Sequence, residues 1–206
     1  FDDAREKIVL FGGELQDYSG SPYASDTWVW NGNAGTWTQE LLATVPPGRS
    51  RHSMCYDKLR ERVVMFGGYN ATGSLNDTWE WNGIDWTQVI CPHSPESRSG
   101  HKIVFDENLG VVVLFGGEHE AAAEPLSHPA DFWQWDGTDW TILQRAHSDS
   151  PSGRLGHGMV FHEGLKQTVI FGGYPSSDNL FVIYADMWFC SPAADLVYSV
   201  SLQTKT

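Results

Sequence analysis

The chain has 206 residues, 26 of them acidic against 13 basic, for a formal charge of -13. With 41% hydrophobic and 19% charged residues it is too apolar to remain disordered, and it is long enough for one substantial domain or two small ones. The acid excess excludes a surface built to neutralise phosphates, so neither nucleic acid nor an anionic membrane is expected as a partner. No apolar run approaches the roughly 18 to 20 residues that span a bilayer. Three cysteines, Cys55, Cys91 and Cys190, are too few and too scattered for a disulfide framework or a zinc knuckle. The start at Phe1, with no basic stretch leading into an apolar one, is read as a mature product or an excised piece.

In chain order, Phe1-Asp2 reads as the end of a strand, followed by an apolar run closing on Phe11-Gly12-Gly13. After residues 14–25 come Asp26, Trp28 and Trp30, the turn Asn31-Gly32, and Trp37. The same order then returns with a leading Arg and His. Arg49 and His52 precede Phe66-Gly67-Gly68, then Asp77, Trp79, Trp81, Asn82-Gly83 and Trp86. Arg98 and His101 precede Phe115-Gly116-Gly117, then Asp131, Trp133, Trp135, Asp136-Gly137 and Trp140. Arg154 and His157 precede Phe171-Gly172-Gly173, Asp186 and Trp188, after which the later tryptophans are lost. Nine of ten tryptophans obey one spacing, which identifies an internal repeat with units at about 1–47, 48–96, 97–152 and 153–206.

Each unit divides into four short apolar segments between turn residues, and helix signals are nearly absent. In the second unit these are residues 52–57, 62–66, 78–82 and 86–90. Val63-Val64-Met65-Phe66 is apolar throughout, as a strand buried on both faces would be. Thr78-Trp79-Glu80-Trp81 places two indoles on one strand face. Asn-Gly and Asp-Gly supply the residues of tight hairpin turns. The first unit lacks its first strand, and the tail at 196–202 offers one, giving fifteen strands. Four antiparallel strands in about 50 residues is the pattern of a propeller blade.

The order Arg-x-x-His, apolar strand, Phe-Gly-Gly, Asp-x-Trp-x-Trp, Asn-Gly, Trp-Thr resembles the kelch repeat over nearly the whole chain, residues 2–188. The resemblance implies an all-β fold, a β-propeller of kelch-type four-stranded blades with four repeat units here. These units either close as a four-bladed ring or form part of a larger one, since kelch rings usually have six or seven blades. An open ring would expose strand edges and invite self-association.

In a meander, the start of strand one and the end of strand two lie at the same end. Arg49, Arg98 and Arg154 therefore share a face with the segments after each Gly pair, at 14–25, 69–76, 118–130 and 174–185, which are expected to be long loops suited to binding. The resemblance implies that an Arg in Arg-Ser-Gly projects into the mouth of the central channel. Arg98-Ser99-Gly100 matches most closely, whereas Arg154 precedes Leu155-Gly156 and Arg49 precedes Ser50-Arg51. Two readings stand: guanidiniums that receive an acidic ligand, or repeat-encoded ties that hold the blades together. His52, His101 and His157 are expected to hydrogen-bond within the inner strands, and the repeated aspartates to accept backbone N–H groups. The repeated tryptophans are read as packing between blades rather than as sugar platforms. The non-repeated Tyr18, Tyr23, Tyr69, Tyr174, Phe181 and Tyr184 are the aromatic ligand candidates.

One segment departs from the repeat: Glu118-His119-Glu120, Glu124 and His128 gather carboxylates and imidazoles. The spacing of Glu120, Glu124 and His128 resembles the iron-binding motif of the nitrile-specifier kelch proteins, with Glu in place of the central Asp. Such donors suit iron or zinc; the alternative is a solvated acidic loop. No serine-hydrolase elbow, metalloprotease helix, phosphate loop or dinucleotide fingerprint is present. The first expectation is a kelch-repeat binding module without a cofactor, presenting a protein or carbohydrate ligand with a face built from Arg98, Arg154, Arg49, Tyr69 and Tyr174. The alternative is a carbohydrate-active or metal-dependent enzyme with its site at the propeller mouth, since the resemblance extends to a sialic-acid mutarotase and a galactose-oxidising copper enzyme. Few lysines and Trp-rich repeats fit a secreted or periplasmic protein, and the sequence leaves the compartment open.

Overall fold

The computed structural model describes residues 1–15, 22–119, 128–144, 150–175, 183–190 and 197–201. Among these lie fifteen strands in four antiparallel sheets, and no helix. The first sheet holds β1 (Lys7–Glu14), β2 (Tyr23–Asn31) and β3 (Thr36–Gln39). The second holds β4 (Ser53–Asp57), β5 (Arg62–Asn70), β6 (Gly73–Trp81) and β7 (Trp86–Val89). The third holds β8 (Lys102–Asp106), β9 (Val111–Phe115), β10 (Phe132–Trp135) and β11 (Trp140–Gln144). The fourth holds β12 (Gly158–His162), β13 (Gln167–Phe171), β14 (Asp186–Cys190) and β15 (Val197–Ser201). Strands within each sheet pair in chain order, so each unit is one meander and one blade of a propeller.

The inner strands β4, β8 and β12 pack in succession, and blade 1 retains only the last rung of its own. Asp2 bridges Lys7 as Asp57 pairs with Arg62. Asp2 also accepts the backbone N–H of Arg5, as Asp57 accepts that of Arg60. The expected end of an inner strand at Phe1-Asp2 is thus in place.

Each apolar strand presents its two faces to two neighbours. Val63 and Met65 join Trp79, Trp81 and Trp86 against Phe11 and Val29 of blade 1. Val64 and Phe66 point the other way, against Ile103, Phe105, Trp135 and Trp140 of blade 3. Trp81, Trp86, Trp135 and Trp140 therefore fill the seams between blades, and three of their N–H donors are satisfied across them. Trp86 Nε1 donates to Thr27 Oγ1 at 2.9 Å and Trp140 Nε1 to Thr78 Oγ1 at 2.8 Å. Trp135 Nε1 donates to Glu80 across the same seam at 3.2 Å. The polar residues that alternate with the indoles are thus acceptors for the next blade, not a solvent face.

Two local expectations change. Residues 69–76 are not a long loop, because pairing resumes after a bulge at the Gly pair and runs Gly68↔Leu75, Tyr69↔Ser74, Asn70↔Gly73. Gly67 and Gly68 take φ of 57° and 103°, which lets the strand kink without breaking. The Asn-Gly and Asp-Gly turns span four residues rather than two. Asn82 Oδ1 accepts the N–H groups of Ile84 and Asp85, and Asp136 Oδ1 those of Thr138 and Asp139, so the side chain builds the turn.

Two glycine positions test this geometry in opposite directions. A Cβ at Gly67 would meet the Arg98 carbonyl at 2.7 Å and that of Leu75 at 2.9 Å. Gly67→Ala should therefore lose at least about 2 kcal/mol in chemical denaturation. Glu61 takes φ of 53° where the next unit has Gly110 at 69°. Glu61→Gly should gain up to about 1 kcal/mol in the same assay; a loss at Glu61 together with a neutral Gly67→Ala would contradict the assigned backbone.

Candidate binding site on the mouth face

The repeated arginines are buried, with Arg49, Arg98 and Arg154 each at 0% exposure. Every one makes the same clasp inside its own blade. Arg49 Nε donates to the Pro47 carbonyl, Nη1 to the carbonyl of Gly67 at 3.0 Å, and Nη1 and Nη2 grip both carboxylate oxygens of Asp77. Arg98 repeats this with Glu96, Gly116 and Asp131, and Arg154 with Ser152, Gly172 and Asp186. The aspartate also accepts the indole N–H two residues on: Trp79 to Asp77 at 2.7 Å, Trp133 to Asp131 at 2.5 Å, Trp188 to Asp186 at 2.6 Å. Of the two readings of the arginines this is the tie, since all three guanidiniums are buried and every nitrogen is hydrogen-bonded inside its own blade, and Asp77, Asp131 and Asp186 serve an arginine and a tryptophan rather than a turn.

The main chain of the same arginines binds the preceding blade. The Arg49 carbonyl accepts Gly13 N–H at 2.9 Å, that of Arg98 accepts Gly68 N–H at 2.9 Å, and that of Arg154 accepts Gly117 N–H at 2.8 Å. Each arginine is thus a joint between blades as well as a clasp within one. Burial opposes ionisation of Asp77, Asp131 and Asp186, yet the Arg and Trp hydrogen bonds hold all three below the usual carboxylate range.

Among the described residues, both ring nitrogens of His101 and His157 and Nδ1 of His52 are buried without a hydrogen-bond partner, so the expected inner-strand bonds are not found there. Each ring stands edge-on to the phenylalanine of the preceding blade, His52 on Phe11, His101 on Phe66 and His157 on Phe115, at 5.5–5.7 Å. Burial first, then the adjacent arginine charge, pushes His52 down to about 4, His157 to about 3, and His101 well below its ordinary value. These imidazoles are neutral packing groups, which suits them to the seam and not to proton transfer at neutral pH.

What distinguishes the mouth face is the residue two after the repeated arginine. Units three and four place Gly100 and Gly156 there, with φ of 68° and 67°; unit two places Arg51 in the same left-handed conformation, at 55°. Its side chain is 53% exposed, and Nη1 donates to Glu118 Oε1 at 3.0 Å. Glu118 in turn occupies the position after the Gly pair that Tyr69 and Tyr174 hold in their blades, each bridged to the residue after its arginine. Its side chain is almost wholly buried, and Oε2 has no hydrogen-bond partner among the described residues. His119 is engaged elsewhere, its Nδ1 against Ser97 Oγ and the Ser97 carbonyl.

The aromatic candidates divide accordingly. Tyr69 and Tyr174 are half-buried at the rim. Tyr69 meets Tyr23 edge-on at 6.2 Å. Tyr174 covers Gly156, where a Cβ would lie 2.5 Å from the ring. Tyr184 lies 4.2 Å from Arg154 Cζ, capping that clasp by a cation–π contact. Tyr18, Phe181, Glu120 and Glu124 lie outside the described residues. His128, the third member of the expected metal set, packs against Gly153 with its Nε2 buried. No group of three metal-ligating side chains occurs among the described residues.

A family model described as the KLHDC2/KLHL20/DRC7 Kelch-repeats domain matches residues 3–205. The chain belongs to the kelch-repeat family. Its four sheets are kelch blades, and kelch domains as a class mediate protein–protein interaction. Against the repeat, Arg51 and Glu118 are the substitutions that change the mouth. Both were visible in the sequence, Arg51 as the residue that breaks Arg-x-Gly-His and Glu118 as an acid where two other units have Tyr.

Removing the clasp should damage the fold. Arg98→Lys keeps the charge but loses the bidentate grip on Asp131, and should cost about 2 kcal/mol in denaturant unfolding; an unchanged midpoint would mean the clasp is dispensable. The histidines set the response to acid. Their folded pKa values lie below the unfolded value near 6.5, so the unfolded chain binds more protons and stability falls as pH drops through 6.5. The loss continues to about 4 for His52 and about 3 for His157. Each histidine should add about 1.4 kcal/mol per pH unit to the slope. The aspartates, whose stabilisation is present above their unfolded pKa, add to the loss only at the acid end. A denaturation series showing flat stability from pH 6.5 to 4 would contradict neutral, buried histidines.

Proposed function

We propose that this kelch propeller is a protein-binding module that takes its partner on the mouth face, with Arg51 as the anchoring side chain and Tyr69 and Tyr174 as the rim. The observation that carries this reading is the contrast between arginines. Three are wholly buried in clasps, while Arg51 is half exposed at the same end of the blades, with one bond to Glu118 and its other donors open among the described residues. Those donors suit carbonyl or carboxylate oxygens on an extended segment of the partner. The net charge of -13 opposes the distant approach of an acidic partner. At physiological salt that repulsion is screened beyond about 8 Å, whereas a contact at Arg51 is not.

The test uses peptides selected from a random display library against the intact chain. Arg51→Gly installs the residue that the repeat favours at this φ, so the variant should remain folded. Selected peptides should bind it about 10- to 100-fold more weakly, the loss of a hydrogen bond to a charged group. Equal affinity for Arg51→Gly and for Tyr69→Ala would move the site off the mouth face.

A further inference from the structure

His119 follows Glu118 at the mouth end of blade 3, and its imidazole turns back onto Ser97 in the segment that leads into Arg98. Nδ1 lies 2.7 Å from the Ser97 carbonyl oxygen and 2.9 Å from Ser97 Oγ. A carbonyl oxygen can only accept, so a contact this short puts the ring hydrogen on Nδ1. The neutral ring then carries its free lone pair on Nε2, and none of the described residues is bonded there. The neighbouring acceptors are different. Glu118 Oε2 and Ser99 Oγ also lack partners among the described residues, yet both are enclosed, whereas His119 is only half-buried. The place that His119 fills is held by Leu15, Asn70 and Pro175 in the other units, so the repeat does not require an imidazole there.

We propose that His119 Nε2 is a second recognition group of the mouth face, accepting a main-chain N–H from the partner segment whose oxygens meet Arg51. The inference rests on the reading of the mouth face as the partner site. An extended segment turns both C=O and N–H groups outward, and each needs a counterpart where it loses water. Arg51 carries donors alone, so it can satisfy the oxygens and none of the N–H groups. His119 supplies the missing acceptor, and Glu118 joins the two residues, paired with Arg51 Nη1 at 3.0 Å and adjacent to His119 in the chain. Ser97 is the positioning residue, since its carbonyl fixes both the tautomer and the direction of the ring.

The peptides selected against the intact chain are the probe. His119→Asn keeps a side-chain N–H for the Ser97 carbonyl and removes the Nε2 acceptor. The variant should stay folded and bind about 3- to 10-fold more weakly, as for the loss of one neutral hydrogen bond. N-methylation of the peptide amides one at a time should find a position that weakens binding to the unaltered chain by a similar factor and costs nothing further in His119→Asn. Nitrogen NMR of the unaltered chain needs no variant to fold: His119 should show a protonated Nδ1 and an unprotonated Nε2, and peptide should shift Nε2 while Nδ1 stays in place. A proton on Nε2 in the free protein overturns the inference. So does binding that Arg51→Gly weakens and His119→Asn leaves unchanged, an outcome that keeps the mouth-face site, whereas unchanged binding in both variants removes the site as well.

Discussion

The arginine that opens units two, three and four is the constraint on which the rest of the structure depends. Its guanidinium closes its own blade by gripping the first glycine of the pair and the aspartate of Asp-x-Trp. Its carbonyl closes the seam by accepting the second glycine N–H of the blade before. A buried charge is costly unless paired and fully hydrogen-bonded, and here the pairing is met by an acid that the same unit carries. The double glycine follows from this: both residues bring backbone within hydrogen-bond reach of an arginine, at φ values that side chains disfavour. The tryptophan follows too, since its N–H completes the aspartate.

This arrangement separates residues that hold the propeller from residues free to bind. What recurs from unit to unit is absorbed by the scaffold: arginine, aspartate and tryptophan in clasps, and Phe11, Phe66 and Phe115 with the histidines in seams. The proposed site uses positions where one unit departs from the others. Arg51 keeps a backbone conformation that its neighbours give to glycine, and it places a guanidinium where they leave space. A non-glycine residue in the left-handed region costs stability, at Arg51 as at Glu61. The nearly buried Glu118 holds Arg51 in place from the adjacent blade.

Most of the fold was legible in the sequence because the repeat is dense in residues with one structural use. Phe-Gly-Gly located the second strand, spaced tryptophans the third and fourth, and Phe1-Asp2 the remnant of an inner strand. The hairpin after Gly68 was less visible. Polar residues such as Asn70 and Ser74 read as loop, while their pairing rests on backbone geometry beyond the bulge. The burial of the repeated arginines was not legible for a different reason. Arginines at a shared end of the blades look alike in sequence, and only packing shows which face inward. Arg49 and Arg51 are two residues apart and would share a face in a regular strand; the left-handed backbone at Arg51, with φ of 55°, breaks that alternation.

The most direct test of this division is side-chain hydrogen exchange by nuclear magnetic resonance on the arginine Nε–H groups. Arg49, Arg98 and Arg154 donate Nε–H to the carbonyl two residues back, at 3.0–3.1 Å, inside a buried clasp. Three arginine Nε–H signals protected to the level of the core amides, with Arg51 exchanging freely, is the result expected. Exchange at the three repeated arginines as fast as at Arg51 would contradict the clasp, and with it the assignment of Arg51 as the arginine left for binding.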